Sequence, residues 1–227
     1  MSGSKASGSA APPKKPDVEA LGGCDRRLIH RLLEVIEKDI LPLTREAVHK
    51  GNKIFGAGIL KKSDLSLVIA AANNEIENPL WHGEVYALKQ FYELPQSTRP
   101  NTRELIFLAT HEPCTLCLSA ITWAGFDNFY YLFSHADSRD SFNIPHDLKI
   151  LQEVFKCSPG KYARSNLYWT SYNLQELINR CDEKSQKDFL ARIRRLKGIY
   201  ADLSDIYQKN KDKVDIPLKL LRQSEQV

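Results

Sequence analysis

The sequence predicts an α/β fold: a three-layer α/β/α arrangement on a mixed sheet of about five strands, the last two parallel, with a helical extension at the C-terminus. Three observations predict it. Apolar runs of strand length alternate with longer helix-like stretches from about residue 54 onward, the pattern of a sheet covered by helices. The first two apolar runs are separated only by a polar KKSD at 61–64, which suits a hairpin turn. The last two are separated by a helical stretch, and such a crossover makes the strands it joins parallel.

Residues 1–22, rich in Ser, Ala, Gly, Pro and Lys, have nothing to bury and are expected to be a disordered tail. A domain is expected over 23–174. Asp25 can cap a helix running to about Ile40, with Leu28, Leu32, Val35 and Ile36 on one face. Pro42 is expected to interrupt it, and a second turn-rich piece reaches Lys50. IFGAGIL (54–60) and LSLVIAAA (65–72) read as strands. HGEVYALKQFYEL (82–94) reads as a helix with Val85, Leu88 and Tyr92 on one face. ELIFLAT (104–110) is apolar throughout, as a strand covered on both sides is. CTLCLSAITWA (114–124) follows as a helix, NFYYLFS (128–134) as a strand, HDLKILQEVFK (146–156) as a helix and NLYWTS (166–171) as a last strand. Residues 175–227 are the C-terminal extension, helical over 175–206.

Charge and cysteine content narrow the function. The net charge is +4, yet 21–174 carries 17 acidic and 17 basic residues, and 175–227 carries 12 Lys+Arg against 9 Asp+Glu. A neutral middle beside a mildly basic tail does not advertise a polyanion groove, so a small-molecule substrate is the simpler expectation. No apolar run approaches ~20 residues, so no membrane span is expected. An odd number of cysteines, five, with no apolar leader at the N-terminus, argues against a disulfide framework and for a reducing, cytoplasmic setting. Cys24, Cys157 and Cys181 are accordingly expected to be small buried hydrophobes.

The remaining cysteines carry the chemistry. Cys114 and Cys117 lie three apart at the start of a predicted helix, so both sulfurs leave the same first turn. The positive helix end favours thiolate, and Pro113 fits a helix start. Two thiolates leave a tetrahedral metal site incomplete, and His82, which also starts a predicted helix, is the candidate third ligand. Three protein ligands leave one position open, the mark of a catalytic zinc, and zinc brings the pKa of bound water towards ~7. Glu84, two residues after His82, is placed to carry that water's proton. A redox dithiol, or a closed structural zinc with His111 as fourth ligand, are alternatives. The combined order of H-x-E, a strand, then P-C-x-x-C favours the catalytic metal over both.

That order is the known signature of zinc-dependent base deaminases. Over about residues 43–172 the chain resembles the cytidine/deoxycytidylate deaminase superfamily, through FGAGI, the asparagine ending the second strand, WHGEVYAL, EPCTLC and the SAI that follows. The branch it resembles most is that of the cytosine, guanine and tRNA-adenosine deaminases. EPCTLC with SAI is similar to the guanine and tRNA-adenosine members, HGE to fungal cytosine deaminases. NPLW at 78–81 stands where those groups carry an Asp-Pro-Thr type sequence. The resemblance implies Zn2+ held by His82, Cys114 and Cys117, with Glu84 as proton shuttle. It implies Asn73 as the substrate-binding asparagine, with Asn74 as a rival. Phe55 would line the base pocket or serve as a core aromatic, and the Gly83 N–H would meet a ring substituent. SHADSRDSF (134–142) is similar to an acidic loop of guanine deaminases, while Asp137 and Asp140 read as solvated.

The activity so implied is zinc-dependent hydrolytic deamination of a nucleobase or nucleoside with a guanine- or cytosine-type ring, releasing ammonia, in a homodimer or higher oligomer. One alternative is a tRNA adenosine deaminase or a subunit of one, with RIRRLKG (192–198) holding phosphates; interspersed acids make that stretch a solvated helix face instead. Another is a non-catalytic scaffold of the same fold, against which the intact Glu84 argues. Trp169 and Tyr172 either close over a ring or sit in the core. The apolar faces of 175–200 are candidate contact surface between subunits.

Overall fold

The computed structural model describes residues 24–157 and 161–218. The expected disordered tail at 1–22 and the last nine residues of the C-terminal extension lie outside the described residues. One sheet of five strands organises the rest, in the order β2-β1-β3-β4-β5. β1 (Gly56–Lys61) and β2 (Leu67–Ala72) form the expected antiparallel hairpin. β3 (Leu105–His111) pairs antiparallel with the other side of β1. β4 (Asn128–Phe133) lies parallel to β3, and β5 (Thr170–Asn173) parallel to β4. The mixed sheet and its parallel last pair are as the sequence predicts. β5 starts later than predicted because Asn166 Oδ1 accepts the N–H groups of Tyr168 and Trp169. That turn removes both donors from any strand ladder.

Helices cover both faces. α1 (Arg26–Val35) starts at Asp25, whose carboxylate accepts the Leu28 N–H at 2.9 Å. Pro42 does not interrupt the rod. A π-helical turn, Ile36–Ile40, leads into α2 (Leu41–His49), and the Leu41 N–H reaches back to the Ile36 carbonyl. Proline has no N–H to give to the preceding turn, and the wider π turn accommodates the missing bond without ending the helix. α3 (Gly83–Glu93) and α4 (Thr115–Trp123) pack on one face around Ala87, Leu88, Phe91, Phe107, Ile121 and Phe126. The inward face of α3 also carries Gly83 and Glu84, and Tyr92 is 47% exposed rather than buried. A face read from apolar residues alone is rotated away from the one that buries a carboxylate.

The opposite face is built by α1, α2, α5 (His135–Phe142), α7 (Leu174–Ile178) and α8 (Glu183–Asn210) around Leu32, Leu33, Leu108, Phe133 and Tyr200. α6 (His146–Glu153) packs against α4 and α5. α5 stands where a solvated acidic loop is expected. Ser134 and Asp137 form a reciprocal capping box, and Asp137 also binds Lys197 at 2.9 Å, so it is a structural acid; Asp140 is exposed and pairs with Arg139. The C-terminal helices turn Phe189, Ile193, Leu196, Tyr200, Leu203 and Tyr207 inward, so the apolar face expected as contact surface is core.

Two cysteine expectations are corrected. Cys24 and Cys181 form a disulfide, their Cα atoms 4.6 Å apart, because the start of α1 meets the α7–α8 turn. Cys157 is half-buried and free. Among the described residues, no helix is long and apolar enough to cross a membrane.

Candidate metal centre

Two helix starts converge at the end of β3. His82 is the N-cap of α3 and holds an extended backbone, φ −61° and ψ 156°. Cys114 is the N-cap of α4, likewise extended at φ −68° and ψ 173°, and Cys117 lies in its first turn. The extended caps aim all three side chains off the helix ends into one spot. His82 Nδ1 lies 3.4 Å from Cys114 Sγ and 3.7 Å from Cys117 Sγ, and the sulfurs are 3.5 Å apart. Zn–N bonds of ~2.0–2.1 Å and Zn–S bonds of ~2.3 Å at tetrahedral angles require donor separations of about 3.6 Å and 3.8 Å. The observed triangle matches to a few tenths of an ångström, so these three donors fit zinc. Among the described residues they form a group able to hold a metal ion, and His111 is outside it.

The field at the three donors favours a positive charge. The hydrogen bond from Cys117 holds the Cys114 thiol well below its ordinary pKa, and His82 adds to it, while burial works the other way. Burial acts to lower His82, but the Cys114 sulfur and the Glu75 and Glu84 carboxylates outweigh it and raise the imidazole to about 9. Glu84 is buried in the first turn of α3. Burial first, then the charge of Cys114, pushes its carboxyl up to about 7.

Residues 34–133 match the family model described as the cytidine and deoxycytidylate deaminase zinc-binding region, a span that contains His82, Glu84, Cys114 and Cys117. Over that span the chain is similar to the cytidine and deoxycytidylate deaminases. Among solved structures it is similar to guanine deaminase from Bacillus subtilis, with 26% identity over 59% of this chain and 80% of that one, at a TM-score of 0.44. It is similar to a tRNA:A34 deaminase, with 19% identity over 65% and 98% of the two chains and a TM-score of 0.41. Guanine deaminase from Nitrosomonas europaea shows 14% identity over 86% and 100%, with a TM-score of 0.44. A comparison with proteins of curated function gives no match.

Around the three donors, a small cavity is lined by Phe55, His82, Glu84, His111, Glu112, Cys114 and Asp147. His111 is buried among the rings of Phe55, Phe133, Phe142 and Tyr200, with its Nδ1 2.9 Å from the Thr110 hydroxyl. Burial lowers it to about 3, and the solvent-facing ring weighed from sequence is not seen. Phe55 presents its edge to His111 at 4.9 Å. Asn73 and Gly83 engage each other: the Gly83 N–H donates to Asn73 Oδ1 at 2.5 Å, and Asn73 Nδ2 donates to Glu75 Oε2 at 2.8 Å. Asn74 is turned to Glu77.

Sequence reasoning missed Glu75, Glu112 and Asp147. Glu112 accepts the His135 N–H at 3.0 Å and the Tyr162 hydroxyl at 2.6 Å, anchoring two later segments behind Cys114. Asp147, in the first turn of α6, is pushed up to about 7 by burial and the Cys114 charge. An acid in a first turn carries a signal, but an ordinary one, since it complements the helix dipole anywhere. Trp169 and Tyr172 belong to the packing. Trp169 Nε1 donates to Thr122 at 2.7 Å and its ring meets Phe129; Tyr172 stacks on Tyr130. In RIRRLKG, Arg192 and Arg195 both pair with Glu37, and Lys197 pairs with Asp137.

Proposed function

We propose that this chain is a hydrolytic deaminase that releases ammonia from a guanine- or cytosine-type base or nucleoside, with Zn2+ held by His82, Cys114 and Cys117. The observation that carries the reading is a buried Glu84 beside a three-donor triangle of zinc dimensions. Zn2+ held by these three residues would supply an acidified water, with a pKa towards ~7. The protein's own part is proton handling and positioning. Glu84 takes one proton from the attacking water and gives it to the ring nitrogen of the amidine, then takes the second from the hydroxyl of the addition product and gives it to the amine, which leaves as ammonia as the C=O forms. Phe55 offers a flat apolar wall, and Glu112 and Asp147 present carboxyl oxygens to the same cavity, acceptors for ring N–H and amino groups. Asn73 and Gly83 are joined to each other and do not line that cavity.

One observation supports a small substrate over structured RNA. The basic stretch at 192–198 has three of its cations committed to Glu37 and Asp137. A homo-oligomer is part of the proposal. α4 carries no charged residue, buries only Cys117 and Ile121 completely, and leaves Trp123 91% exposed. A helix apolar on all sides belongs in an interior.

The test is a panel of purines and pyrimidines, as bases and nucleosides, assayed for ammonia with zinc quantified. Glu84→Gln should keep one zinc per chain and lose turnover by about 10²–10⁴-fold. Parent-like turnover in that variant would refute the assigned mechanism.

A further inference from the structure

We infer that Glu75, held in place by Lys53, is the carboxylate that orients His82 on its metal. The inference rests on the assignment of His82, Cys114 and Cys117 as the metal centre. His82 turns Nδ1 to both sulfurs. An imidazole that ligates through Nδ1 as the neutral ring carries its proton on Nε2. Metal-bound histidines nearly always donate that second N–H to a carboxylate, a carbonyl or a water, which fixes both the tautomer and the ring plane. On the Nε2 side stands Glu75, its Oε1 3.9 Å away. Such contacts are commonly long before loading and tighten when the site is engaged. About 1 Å of ring movement brings the pair to ordinary hydrogen-bond length.

Glu75 is built to be that acceptor. Its side chain is 1% exposed, and that of Lys53 7%. Lys53 Nζ donates to Oε1 at 2.5 Å, while the Lys53 N–H and Asn73 Nδ2 donate to Oε2 at 3.2 Å and 2.8 Å. Oε2 therefore has two donors and Oε1 one, and the oxygen with spare capacity is the one nearest His82. A carboxylate this buried needs a counter-charge, and Lys53 supplies it, so the pair presents a fixed acceptor with no net charge. The same network reaches the ligand from the backbone side. Asn73 joins Glu75 to the Gly83 N–H, one residue after His82. Ring and backbone of the ligand are thus tied to one buried carboxylate. Because Glu75 does not itself line the cavity and reaches the centre only through His82, it is a positioning residue.

The experiment is zinc affinity by competition with a chromophoric chelator, read beside the melting temperature of the metal-free protein. Glu75→Gln alone strands the Lys53 charge and can fail to fold. The decisive variant is Lys53→Met with Glu75→Gln, which leaves no unpaired charge. It should melt close to the parent yet bind zinc about 10–100-fold more weakly, the loss typical when a partner of a metal-bound histidine is removed. A folded double variant with parental zinc affinity overturns the inference. A second measurement uses the parent alone. Long-range ¹H–¹⁵N spectra of the zinc-loaded protein should place the His82 proton on Nε2 and show it protected from exchange. A ring bound through Nε2, or an Nε2–H exchanging at the solvent rate, overturns the inference even if the double variant does not fold. A parent that binds no zinc at all is a separate result, which removes the metal assignment itself.

Discussion

Gly83 shows how tightly one residue can be specified beside a ligand. A Cβ built there would lie 2.7 Å from the Gly56 Cα and 3.0 Å from the Gly56 nitrogen and the Phe55 carbonyl oxygen. Those are backbone atoms, which cannot swing aside as a side-chain tip can. Gly83→Ala should therefore push the first turn of α3 off β1, at about 1–3 kcal/mol of overpacking strain, and carry His82 with it. Lower thermal stability together with weaker zinc binding is the expected pair of results. A variant unchanged in both would show that the two segments do not approach this closely. The residues of the centre differ in how far the sequence discloses them. His82, Glu84, Cys114 and Cys117 are legible because ligand chemistry demands particular side chains at short, fixed spacing. Glu75, Glu112 and Asp147 are ordinary acids in sequence, and only packing brings them to the site. Asn73 is legible as a special residue through resemblance, but its bonds to Gly83 and Glu75 are not.

At the scale of elements, periodicity discloses the strands and most helices, and it fails where a local rule is overridden. Pro42 reads as a breaker, yet a π turn carries the helix through it. Ser134 and Asp137 read as loop residues, yet their capping box starts α5. Beyond the predicted metal ligands, the joining of elements far apart in sequence is not legible. Glu37 receives both Arg192 and Arg195. Burial alone would raise its pKa, but the two guanidiniums outweigh that and hold it below the ordinary carboxylate value. A depressed pKa in the folded state stabilises above the unfolded value of ~4.3, and the stabilisation is lost as pH falls through the folded value. Glu37→Gln should melt below the parent at neutral pH, and the gap should narrow as the pH drops below ~4. A gap that stays constant with pH would mean the ion pairs contribute nothing.

The Cys24–Cys181 disulfide is another long-range tie between the N-terminal and C-terminal helices, with a sequence separation of 157. An odd cysteine count argues against a framework of bridges, but it says nothing about a single pair brought together by the fold. Thiol titration of the protein, unfolded without reductant and with metal removed, should find three free cysteines, namely Cys114, Cys117 and Cys157. Reduction should lower stability by about 2–4 kcal/mol. Five titratable thiols in protein handled without reductant would show that the bridge does not form.

Across the whole molecule, α8 is part of the same interior as α1 and the sheet. Tyr200 meets His111, Phe133 and Phe142, so the C-terminal helix supplies a wall of the buried shell around the site. With that face turned inward, the apolar surface left to cover lies elsewhere. Trp123, Leu167 and Tyr168 are exposed and flank the Trp169–Thr122 hydrogen bond, and Leu116 lies exposed two turns earlier on α4. Exposed apolar residues of this kind suit a contact site, and the occupant that the proposed homo-oligomer calls for is a second copy of the chain. A carboxylate at position 123 would have to be desolvated in such a contact but is harmless in water, where the Trp123 side chain already stands 91% exposed. Sedimentation velocity should therefore find the parent as a dimer or larger and Trp123→Asp shifted to the monomer, with an unchanged melting curve for the monomeric fold. A parent that sediments as a monomer at micromolar concentration would refute the assembly, and a Trp123→Asp variant that stays associated would place the contact on another face.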